Sequence, residues 1–175
     1  MKIYKTKIKD VLIIKSKKFN DNRGFFSEVY NKKNFKNKFV QDNLSFNKRI
    51  YTFRGLHFQV GAFKQAKLIR VESGKIIDFV LDLRKSSKTY LTLLKVILSD
   101  KNFTQLYIPR GCAHGFLTLE KNTKVFYKVD NYYSKIHSRG YNILDKKIII
   151  NEVNKRKIYL SKQDKNLPFL NEKIK

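Results

Sequence analysis

Residues 67–83 read KLIRVESGKIIDFVLDL, and this stretch decides the fold class. Within Lys67–Glu72 the apolar Ile69 and Val71 alternate with the polar Arg70 and Glu72, and this period of two is typical of a strand with one buried face. Ser73-Gly74-Lys75 then predicts a turn into a second, mostly apolar strand from Ile76 to Leu83. Two strands joined by a short turn indicate a β-rich protein.

Similar short apolar runs recur along the chain. They are rich in β-branched or aromatic residues, and turn signals separate them at intervals of about ten residues. This spacing is typical of an all-β sandwich or barrel. The further candidate strands are Leu91–Leu98, Gln105–Ile108, Gly115–Leu119 and Lys124–Val129.

Two segments outside these strands favour short peripheral helices. Residues 31–39 place Phe35 and Phe39 four positions apart, so one helical face would carry both rings. Residues 160–170 are mostly polar and predict a loop or a last helical turn.

Length and composition predict one domain in a reducing compartment. The chain has 175 residues, enough for one sizeable core, and we expect residues 1–175 to form a single domain. No apolar run approaches the roughly 20 residues that span a bilayer, and Val11–Ile14 is too short for a signal-peptide core. The single cysteine, Cys112, excludes an internal disulfide and favours the cytoplasm.

The net charge of +25 is large enough to attract nucleic acid or a membrane surface. Lysine greatly outnumbers arginine, however, and the lysines are scattered from Lys2 to Lys175 instead of forming one block. No nucleic-acid-binding motif accompanies them. We interpret the charge as solvated lysines that attract small anionic substrates, and we expect no specific nucleic-acid or membrane partner. Binding of an anionic polymer is the alternative that charge alone leaves open.

Two of the three histidines lie in the most patterned segments of the chain. His57 lies in residues 54–59, RGLHFQ, and His114 lies in residues 108–116, IPRGCAHGF. Histidine is the usual proton carrier near neutral pH and a common metal ligand. Glycines and apolar residues beside both imidazoles predict that they lie in a pocket.

A metal site is one interpretation of two separated histidine motifs. Metal-binding cupins use His-x-His and an acidic residue in the first motif, with another His in the second. Here Gln59 occupies the second position of the pair, and no Glu follows within residues 60–64. Two histidines without a carboxylate make a poor divalent site, and Lys67 would add positive charge. We therefore expect no metal.

Cys112 lies two residues from His114, so the two side chains share a face of a strand and a thiol nucleophile is conceivable. A cysteine among apolar residues is usually a small hydrophobic filler, which is the role we expect.

Paired carboxylates are further candidates for the chemistry of the site. Asp78 and Asp82 share strand parity, which predicts that both point inward, whereas Asp145 and Glu152 are expected at the surface. An inward Asp78 would need a partner, because a buried unpaired charge is costly, and a histidine is a good candidate.

Several segments occur in an order that resembles a known family. They are residues 21–28 (DNRGFFSE), 40–45 (VQDNLS), 54–59 (RGLHFQ), 67–70 (KLIR), 108–116, 127–133 (YKVDNYY) and 160–168 (LSKQDKNLP). The chain resembles the dTDP-4-dehydrorhamnose 3,5-epimerases, enzymes of deoxysugar nucleotide synthesis, over nearly its whole length. The resemblance implies an all-β, cupin-type jelly-roll barrel with short peripheral helices, assembled as a homodimer.

The resemblance also implies roles for individual residues. His57 would be the general base, and Asp164 would hold its imidazole in the right tautomer and stabilise the imidazolium. Tyr127 would be the general acid on the opposite face of the sugar ring, with Lys67 near the sugar O4. His114, supported by Asp78, would line the pocket. The remaining substrate-binding positions are Arg23, Glu28, Gln41, Asn43, Arg54 and Tyr132, with Arg23 and its neighbours reaching the partner subunit's site.

These residue types suit a 4-keto sugar, whose C–H bonds at C3 and C5 are weakly acidic. Inverting either carbon requires a base and an acid on opposite sides, and a positive group at the developing enolate oxygen. His57, Tyr127 and Lys67 supply that set without a metal or a redox cofactor. The guanidinium groups of Arg54 and Arg23 suit a diphosphate.

Some positions depart from the family pattern. The chain has no tryptophan, and residues 141–151 are rich in isoleucine. A glutamate common in the family corresponds to Ser138, and the lysine that often precedes the catalytic aspartate corresponds to Gln163. These changes leave the proton-transfer residues intact and affect the binding region.

We therefore expect epimerisation of dTDP-4-dehydro-6-deoxy-D-glucose at C3 and C5 to dTDP-4-dehydro-L-rhamnose, a step of dTDP-rhamnose biosynthesis such as lipopolysaccharide O-antigen synthesis uses. A mono-epimerase, or an epimerase of another 4-keto nucleotide sugar, is the alternative. The alternative outside enzymes is a cupin that binds a sugar nucleotide without turnover. The ketoisomerase branch of the fold has a different histidine motif from residues 56–59.

Overall fold

The computed structural model describes residues 1–35 and 37–170. Strands dominate this part of the chain, with one short α-helix and three single-turn 3₁₀ helices. The strands are β1 (Lys2–Lys5), β2 (Leu12–Lys15), β3 (Phe19–Asp21), β4 (Gly24–Phe26), β5 (Gln41–Asn47), β6 (Phe53–Gln59), β7 (Lys67–Ser73), β8 (Lys75–Asp82), β9 (Leu93–Ser99), β10 (Thr104–Ile108), β11 (Cys112–Thr118), β12 (Thr123–Val129) and β13 (Ser138–Gly140). The helices are α1 (Lys162–Lys165) and the 3₁₀ turns Lys32–Asn34, Gly61–Phe63 and Lys155–Lys157. None of these helices could cross a lipid bilayer.

Two antiparallel sheets form the barrel. One has the strand order β1-β2-β10-β7-β12-β5 and the other the order β13-β6-β11-β8-β9, while β3 and β4 pair separately. Strands distant in sequence are neighbours in both sheets, as in a jelly roll. The expected all-β, cupin-type barrel with short peripheral helices is confirmed.

The predicted turn at residues 73–75 carries the chain from one sheet to the other. β7 lies in the six-stranded sheet and β8 in the five-stranded sheet. Gly74 has φ +87°, and a Cβ there would lie 2.5 Å from the Thr123 hydroxyl oxygen. Only glycine adopts this conformation without strain in so tight a space.

Three apolar clusters result from the alternation of side chains along the strands. The central cluster lies between the sheets and includes Ile69, Val80, Leu106 and Val125. A second cluster behind the five-stranded sheet includes Phe53, Phe79 and Leu117, and a third behind the six-stranded sheet includes Ile14, Phe35 and Leu68. The apolar clusters fix both sheets, so polar side chains between them are held on a rigid frame.

Several local features agree with the expectations from sequence. Asp78 and Asp82 are both buried, as predicted, and residues 160–170 contain the single turn of α1. Cys112 is buried in the central cluster, and burial raises the pKa of its thiol to about 12, which confirms a packing role. Glu152 lies near the surface and pairs with Lys95 at 3.0 Å.

Two expectations were wrong. Residues 31–39 form only the turn Lys32–Asn34, because Phe35 is extended and turns inward to pack against Phe39, with ring centroids 5.8 Å apart; Lys36 lies outside the described residues. Asp145 is buried instead of exposed, because its carboxylate accepts hydrogen bonds from the Leu170 and Lys147 backbone amides. Burial there is favourable because the acceptors are satisfied.

Candidate active site

A cleft with two adjoining lobes opens between the sheets at the polar end of the barrel. The first lobe has a volume of about 780 Å³, and its polar lining consists of Ser45, Arg49, Thr52, Arg54, His57, Lys67, His114, Tyr127, Tyr159, Ser161, Gln163 and Asp164. The second lobe has about 460 Å³, with Gln41, Asn43, His57, Gln59, Gln65, Lys67, Tyr127, Tyr133, Ser138 and Gln163 as polar lining. Residues that line both lobes mark the junction: His57, Lys67, Tyr127 and Gln163.

A close approach of β6 and β11 sets the two imidazoles side by side. His57 pairs in register with His114, and the pairing shifts just beyond them. A Cβ on Gly55 would lie 2.6 Å from the Cα of Gly115, and a Cβ on Gly115 would lie 2.7 Å from the Arg54 carbonyl oxygen. Both distances are too short for a side chain, so the two glycines permit the packing that positions the histidines.

His57 is held by a carboxylate from the C-terminal segment. Its Nε2 lies 2.6 Å from Oδ1 of Asp164, and the imidazole is 39% exposed while the carboxylate is 5% exposed. Asp164 lies in α1, where the Ser161 hydroxyl accepts a hydrogen bond from the Asp164 amide. A carboxylate only accepts, so Nε2 carries the hydrogen and Nδ1 keeps its lone pair. His57 is therefore set up as an accessible base.

A second histidine–aspartate pair lies beside the first and is closed off from solvent. Nε2 of His114 lies 2.8 Å from Oδ2 of Asp78, with side chains 8% and 0% exposed. Burial raises the pKa of Asp78 and lowers the pKa of His114, so it opposes charge on both groups. Oδ1 of Asp78 has no hydrogen-bond partner within the described residues. Asp78 thus lies where the sequence predicted a partner for His114, while the role of the pair in binding stays a prediction.

The opposite wall of the cleft carries a phenol and an amine. Tyr127 pairs with Ile69 and Lys67 pairs with Val129, so the two polar side chains are diagonal neighbours on one face of the six-stranded sheet. Burial raises the pKa of Tyr127, and Arg54 opposes that shift. Lys67 is partly open to the cleft but enclosed by protein elsewhere. This loss of solvation lowers the pKa of Lys67 to about 8, although the nearby Asp78 acts in the opposite direction and raises it.

The geometry thus brings together the four residues predicted to act in catalysis. The five-stranded sheet and α1 supply the histidine and its carboxylate, and the six-stranded sheet supplies the phenol and the amine. A flat ring bound between the sheets would meet a base on one face and a proton donor on the other. This arrangement can exchange protons at carbon on both sides of a ring.

Three predicted substrate-binding residues also line the cleft. Arg54 faces the first lobe, where its Nε donates to Asn47 Oδ1 at 2.7 Å. Gln41 and Asn43 line the second lobe and are joined by a hydrogen bond of 2.7 Å. The lining of the second lobe is mostly uncharged, and it includes Ser138 and Gln163, both positions that depart from the family pattern.

Other predicted binding residues lie away from both lobes. Arg23 projects from the β3–β4 hairpin with its side chain 85% exposed and pairs with Asp21 at 2.8 Å. Glu28 lines a separate groove of about 310 Å³ on the outer face of the six-stranded sheet. Tyr132 is 64% exposed and lines neither lobe, whereas its neighbour Tyr133 lines the second.

Arg49 and Tyr159 are among the residues of the first lobe that sequence reasoning missed. The guanidinium of Arg49 lies 4.8 Å from the ring centroid of Tyr159, and both side chains face the lobe. No local pattern marks either residue, because they are far apart in sequence and meet only through the fold. Their contribution is visible only in the assembled cleft.

The donor set of the cleft bears on the metal hypothesis. His57 and His114 each already bond a carboxylate, and Lys67 lines the same lobe and acts electrostatically on His114. Within residues 1–35 and 37–170, no group of three or more His, Cys, Asp or Glu side chains is arranged around a common point for an ion. The absence of a metal from the reaction stays a prediction.

Comparison with known proteins identifies similar chains. A family model described as dTDP-4-dehydrorhamnose 3,5-epimerase matches residues 5–172. An epimerase of that name from Sinorhizobium fredii is 42% identical over 170 residues, which cover 94% of this chain and 87% of the relative. The crystal structure of the Bacillus anthracis enzyme, with TDP and PPi bound, has a TM-score of 0.92 and 43% identity, and covers 97% of this chain and 99% of that one. A Legionella pneumophila epimerase in complex with dTDP-4-keto-L-rhamnose has a TM-score of 0.89 and 33% identity, covering 96% and 92%.

Proposed function

The chain belongs to the dTDP-4-dehydrorhamnose 3,5-epimerase family, and we propose that His57, Tyr127 and Lys67, with Asp164 behind His57, carry out the family's reaction. The protein is an isomerase that converts dTDP-4-dehydro-6-deoxy-D-glucose to dTDP-4-dehydro-L-rhamnose by inverting C3 and C5. The observation that supports these side-chain roles is the placement of His57 and Tyr127 on facing walls of one cleft.

His57 acts as the base. In the chair form of the D-gluco substrate the hydrogens on C3 and C5 are both axial and project from the same face of the ring, so one imidazole can serve both carbons. Nδ1 takes the proton, the C–H electron pair moves toward the C4 ketone, and an enolate forms. Asp164 stabilises the imidazolium through the 2.6 Å hydrogen bond.

The enolate oxygen is stabilised by Lys67 together with His114. Lys67 is the cation nearest the junction of the two lobes, and its ammonium supplies the positive charge that the developing oxyanion needs. His114 lines the same lobe and is held by Asp78 at 2.8 Å. Loss of solvation around Lys67 strengthens this interaction because water competes less for the oxyanion.

Tyr127 completes each inversion from the other side. Its partly buried phenol is protonated at neutral pH, since loss of solvation raises its pKa above the ordinary value. The phenol gives its proton to the carbon on the face opposite His57, and the enolate electrons return to form the new C–H bond. The imidazolium and the tyrosinate then exchange protons with solvent through the open cleft, which restores both groups.

The remaining assignments complete the proposal. Residues 1–175 act as one cupin-like domain, in the cytoplasm, where nucleotide sugars are made. The protein works as a homodimer, in which Arg23 and Glu28 contact substrate in the partner's cleft, consistent with their position outside both lobes of their own chain. Tyr132 contacts the substrate at the exposed edge of the cleft.

Exchange in deuterated water tests this function. With dTDP-4-dehydro-6-deoxyglucose, the wild-type protein should place deuterium at both C3 and C5 and form the L-sugar. In Tyr127→Phe, His57 still removes and returns protons on one face, so exchange should persist while inversion falls by about 10²-fold or more. Label at a single carbon would indicate a mono-epimerase. Absence of label in a protein that binds dTDP would indicate a binding protein without turnover.

A further inference from the structure

The general base and its carboxylate come from distant parts of the chain, 107 residues apart. His57 lies on β6 of the five-stranded sheet, whereas Asp164 lies on the one-turn helix α1 outside that sheet. A helix of one turn has too few internal hydrogen bonds to fix its own position, so other residues must hold it. The 2.6 Å contact between imidazole and carboxylate therefore depends on how the C-terminal segment is docked against β6.

The end of β13 lies beside the base. Gly140 is the register partner of His57 in the pairing of β13 with β6. The next residue, Tyr141, exchanges two backbone hydrogen bonds with Leu56, of 3.0 and 3.1 Å. Asn142, which follows directly, is therefore attached to the same strand that carries the imidazole.

Asn142 reaches from β13 to the chain that carries Asp164. Its Nδ2 donates to the Lys165 carbonyl oxygen at 2.8 Å, and its backbone amide donates to the Pro168 carbonyl oxygen at 2.9 Å. Its Oδ1 accepts from the Leu144 amide at 2.9 Å, which fixes the rotation of the side-chain amide. Asn142 is only 3% exposed, so water competes little for these hydrogen bonds.

Packing and a further hydrogen bond support the same connection. A Cβ on Gly140 would lie 2.8 Å from a methyl carbon of Leu167, so the lack of a side chain on Gly140 lets Leu167 pack directly on β13. Further along, the Leu170 amide donates to Oδ2 of Asp145 at 2.7 Å. Of these contacts, the side-chain bond of Asn142 is the one nearest to α1 in sequence.

We propose that Asn142 is a positioning residue that sets the distance between His57 and Asp164. The inference rests on the proposed function, because it takes His57 as the base that Asp164 orients. Asn142 lines neither lobe of the cleft, so it acts through the C-terminal segment and not through the substrate. When its bond to Lys165 is lost, α1 shifts relative to β6, and the imidazole loses the acceptor that keeps hydrogen on Nε2.

The tautomer of His57 tests this role directly. It is measured by nitrogen-15 NMR of the imidazole at a pH where the ring is neutral, and His57→Asn identifies the signals by their loss among only three histidines. Wild type should show the Nε2–H form. In Asn142→Leu, as in Asp164→Ala, we expect a mixture of both tautomers. We also expect kcat to fall about tenfold while KM and the Kd for dTDP stay within about twofold, because the cleft walls are unchanged.

Two further variants separate the contacts of Asn142. Asn142→Asp keeps an oxygen that accepts from the Leu144 amide, but the ionised carboxylate no longer donates to Lys165, so the tautomer should change as in Asn142→Leu. Leu167→Ala loosens the same segment at a partly exposed position, where folding is little affected. It should change the tautomer in the same direction and lower kcat about threefold.

Asn102→Leu is the matched control. Asn102 also joins backbone groups, since it donates to the Ile97 carbonyl oxygen at 2.9 Å and accepts from the Thr104 amide at 3.1 Å. It lies in the connection between β9 and β10 and lines neither lobe, so the His57 tautomer and kcat should stay as in wild type. An unchanged Nε2–H tautomer in Asn142→Leu and Leu167→Ala, or a change in Asn142→Leu that is absent from Asn142→Asp, would overturn the positioning role.

Deuterium exchange separates this inference from the proposed function. A wild type that epimerises, with a His57 tautomer and a kcat that do not depend on Asn142, refutes the positioning role alone. A tautomer that depends on Asn142, in a protein that binds dTDP but incorporates no deuterium into the sugar, refutes the function alone.

Discussion

Two histidine–aspartate pairs stand on adjacent strands, with similar atoms in contact and different surroundings. His57 and Asp164 are 2.6 Å apart with an imidazole 39% exposed, while His114 and Asp78 are 2.8 Å apart with an imidazole 8% exposed. Each pair joins Nε2 to a carboxylate oxygen. Hydrogen-bond geometry alone therefore does not distinguish a base from a supporting residue.

Solvent access and the origin of the carboxylate distinguish them. Asp164 comes from a one-turn helix outside the barrel, so His57 keeps one side open to the cleft. Asp78 comes from the neighbouring strand β8, and burial opposes charge on both members of its pair. A base must gain a proton and lose it again to solvent, which the open pair allows. The closed pair suits a fixed hydrogen-bonding group.

Removing each imidazole gives the largest expected contrast. His57→Asn should lower kcat/KM about 10³-fold, because the general base is lost. His114→Asn should lower it about tenfold, because the enolate keeps Lys67. Initial rates of epimerisation, with dTDP affinity as a control for folding of the cleft, measure both. Equal losses in the two variants would mean that the open and closed pairs share the proton transfer.

Removing each carboxylate separates catalysis from stability. Asp164→Asn should lower kcat about 10²-fold, since the amide no longer holds the imidazole tautomer or stabilises the imidazolium, with little change in unfolding. Asp78→Asn should lower the free energy of unfolding by about 3 kcal/mol, because it breaks a buried pair. Urea denaturation and kcat are measured on both proteins. A destabilised Asp164→Asn with normal kcat would contradict the assignment.

The pH dependence of kcat/KM gives a smaller but more specific test, because Asp78 of the buried pair raises the pKa of Lys67. Its pKa of about 8 means that the ammonium is present below pH 8 and lost above it, so kcat/KM should fall on the alkaline side. Lys67→Arg should remove that alkaline fall, since a guanidinium stays charged. Asp78→Asn should move the fall to lower pH, because the attraction that raises the lysine pKa is gone. An alkaline fall unaffected by either change would exclude Lys67 as its source.

The sequence predicted the fold wherever burial left a periodic pattern. Residues 69–72 alternate because Ile69 and Val71 are buried between the sheets while Arg70 and Glu72 are not, and residues 76–83 are mostly apolar because β8 is buried along nearly its whole length. β5 and β6 were not predicted as strands. The pairing of β6 with β11 shifts register near Gly55, and β5 is an edge strand whose exposed face carries Leu44 and Phe46. Where tertiary contacts determine the strand, the local sequence pattern does not predict it.

The residues of the candidate site could be predicted from the sequence only where they belong to a recognisable motif. The family resemblance supplied Asp164, which no local signal links to His57. Asp145 was expected at the surface, yet it is buried, and its carboxylate accepts a hydrogen bond from the Leu170 amide. Arg49 and Tyr159 belong to no motif and meet only when the C-terminal segment lies along Thr52. Pairs of this kind can be identified only from the three-dimensional structure.

The facing glycines of β6 and β11 have a consequence for how such an enzyme changes over evolution. Neither Gly55 nor Gly115 has room for even a methyl group, so the separation of the two imidazoles cannot drift by ordinary replacement. A homologue that evolves specificity for a different sugar must therefore change the side chains that line the cleft. Ser138 and Gln163 line the second lobe, where a change of side chain is tolerated. We expect homologues with a different sugar preference to differ first at these two positions.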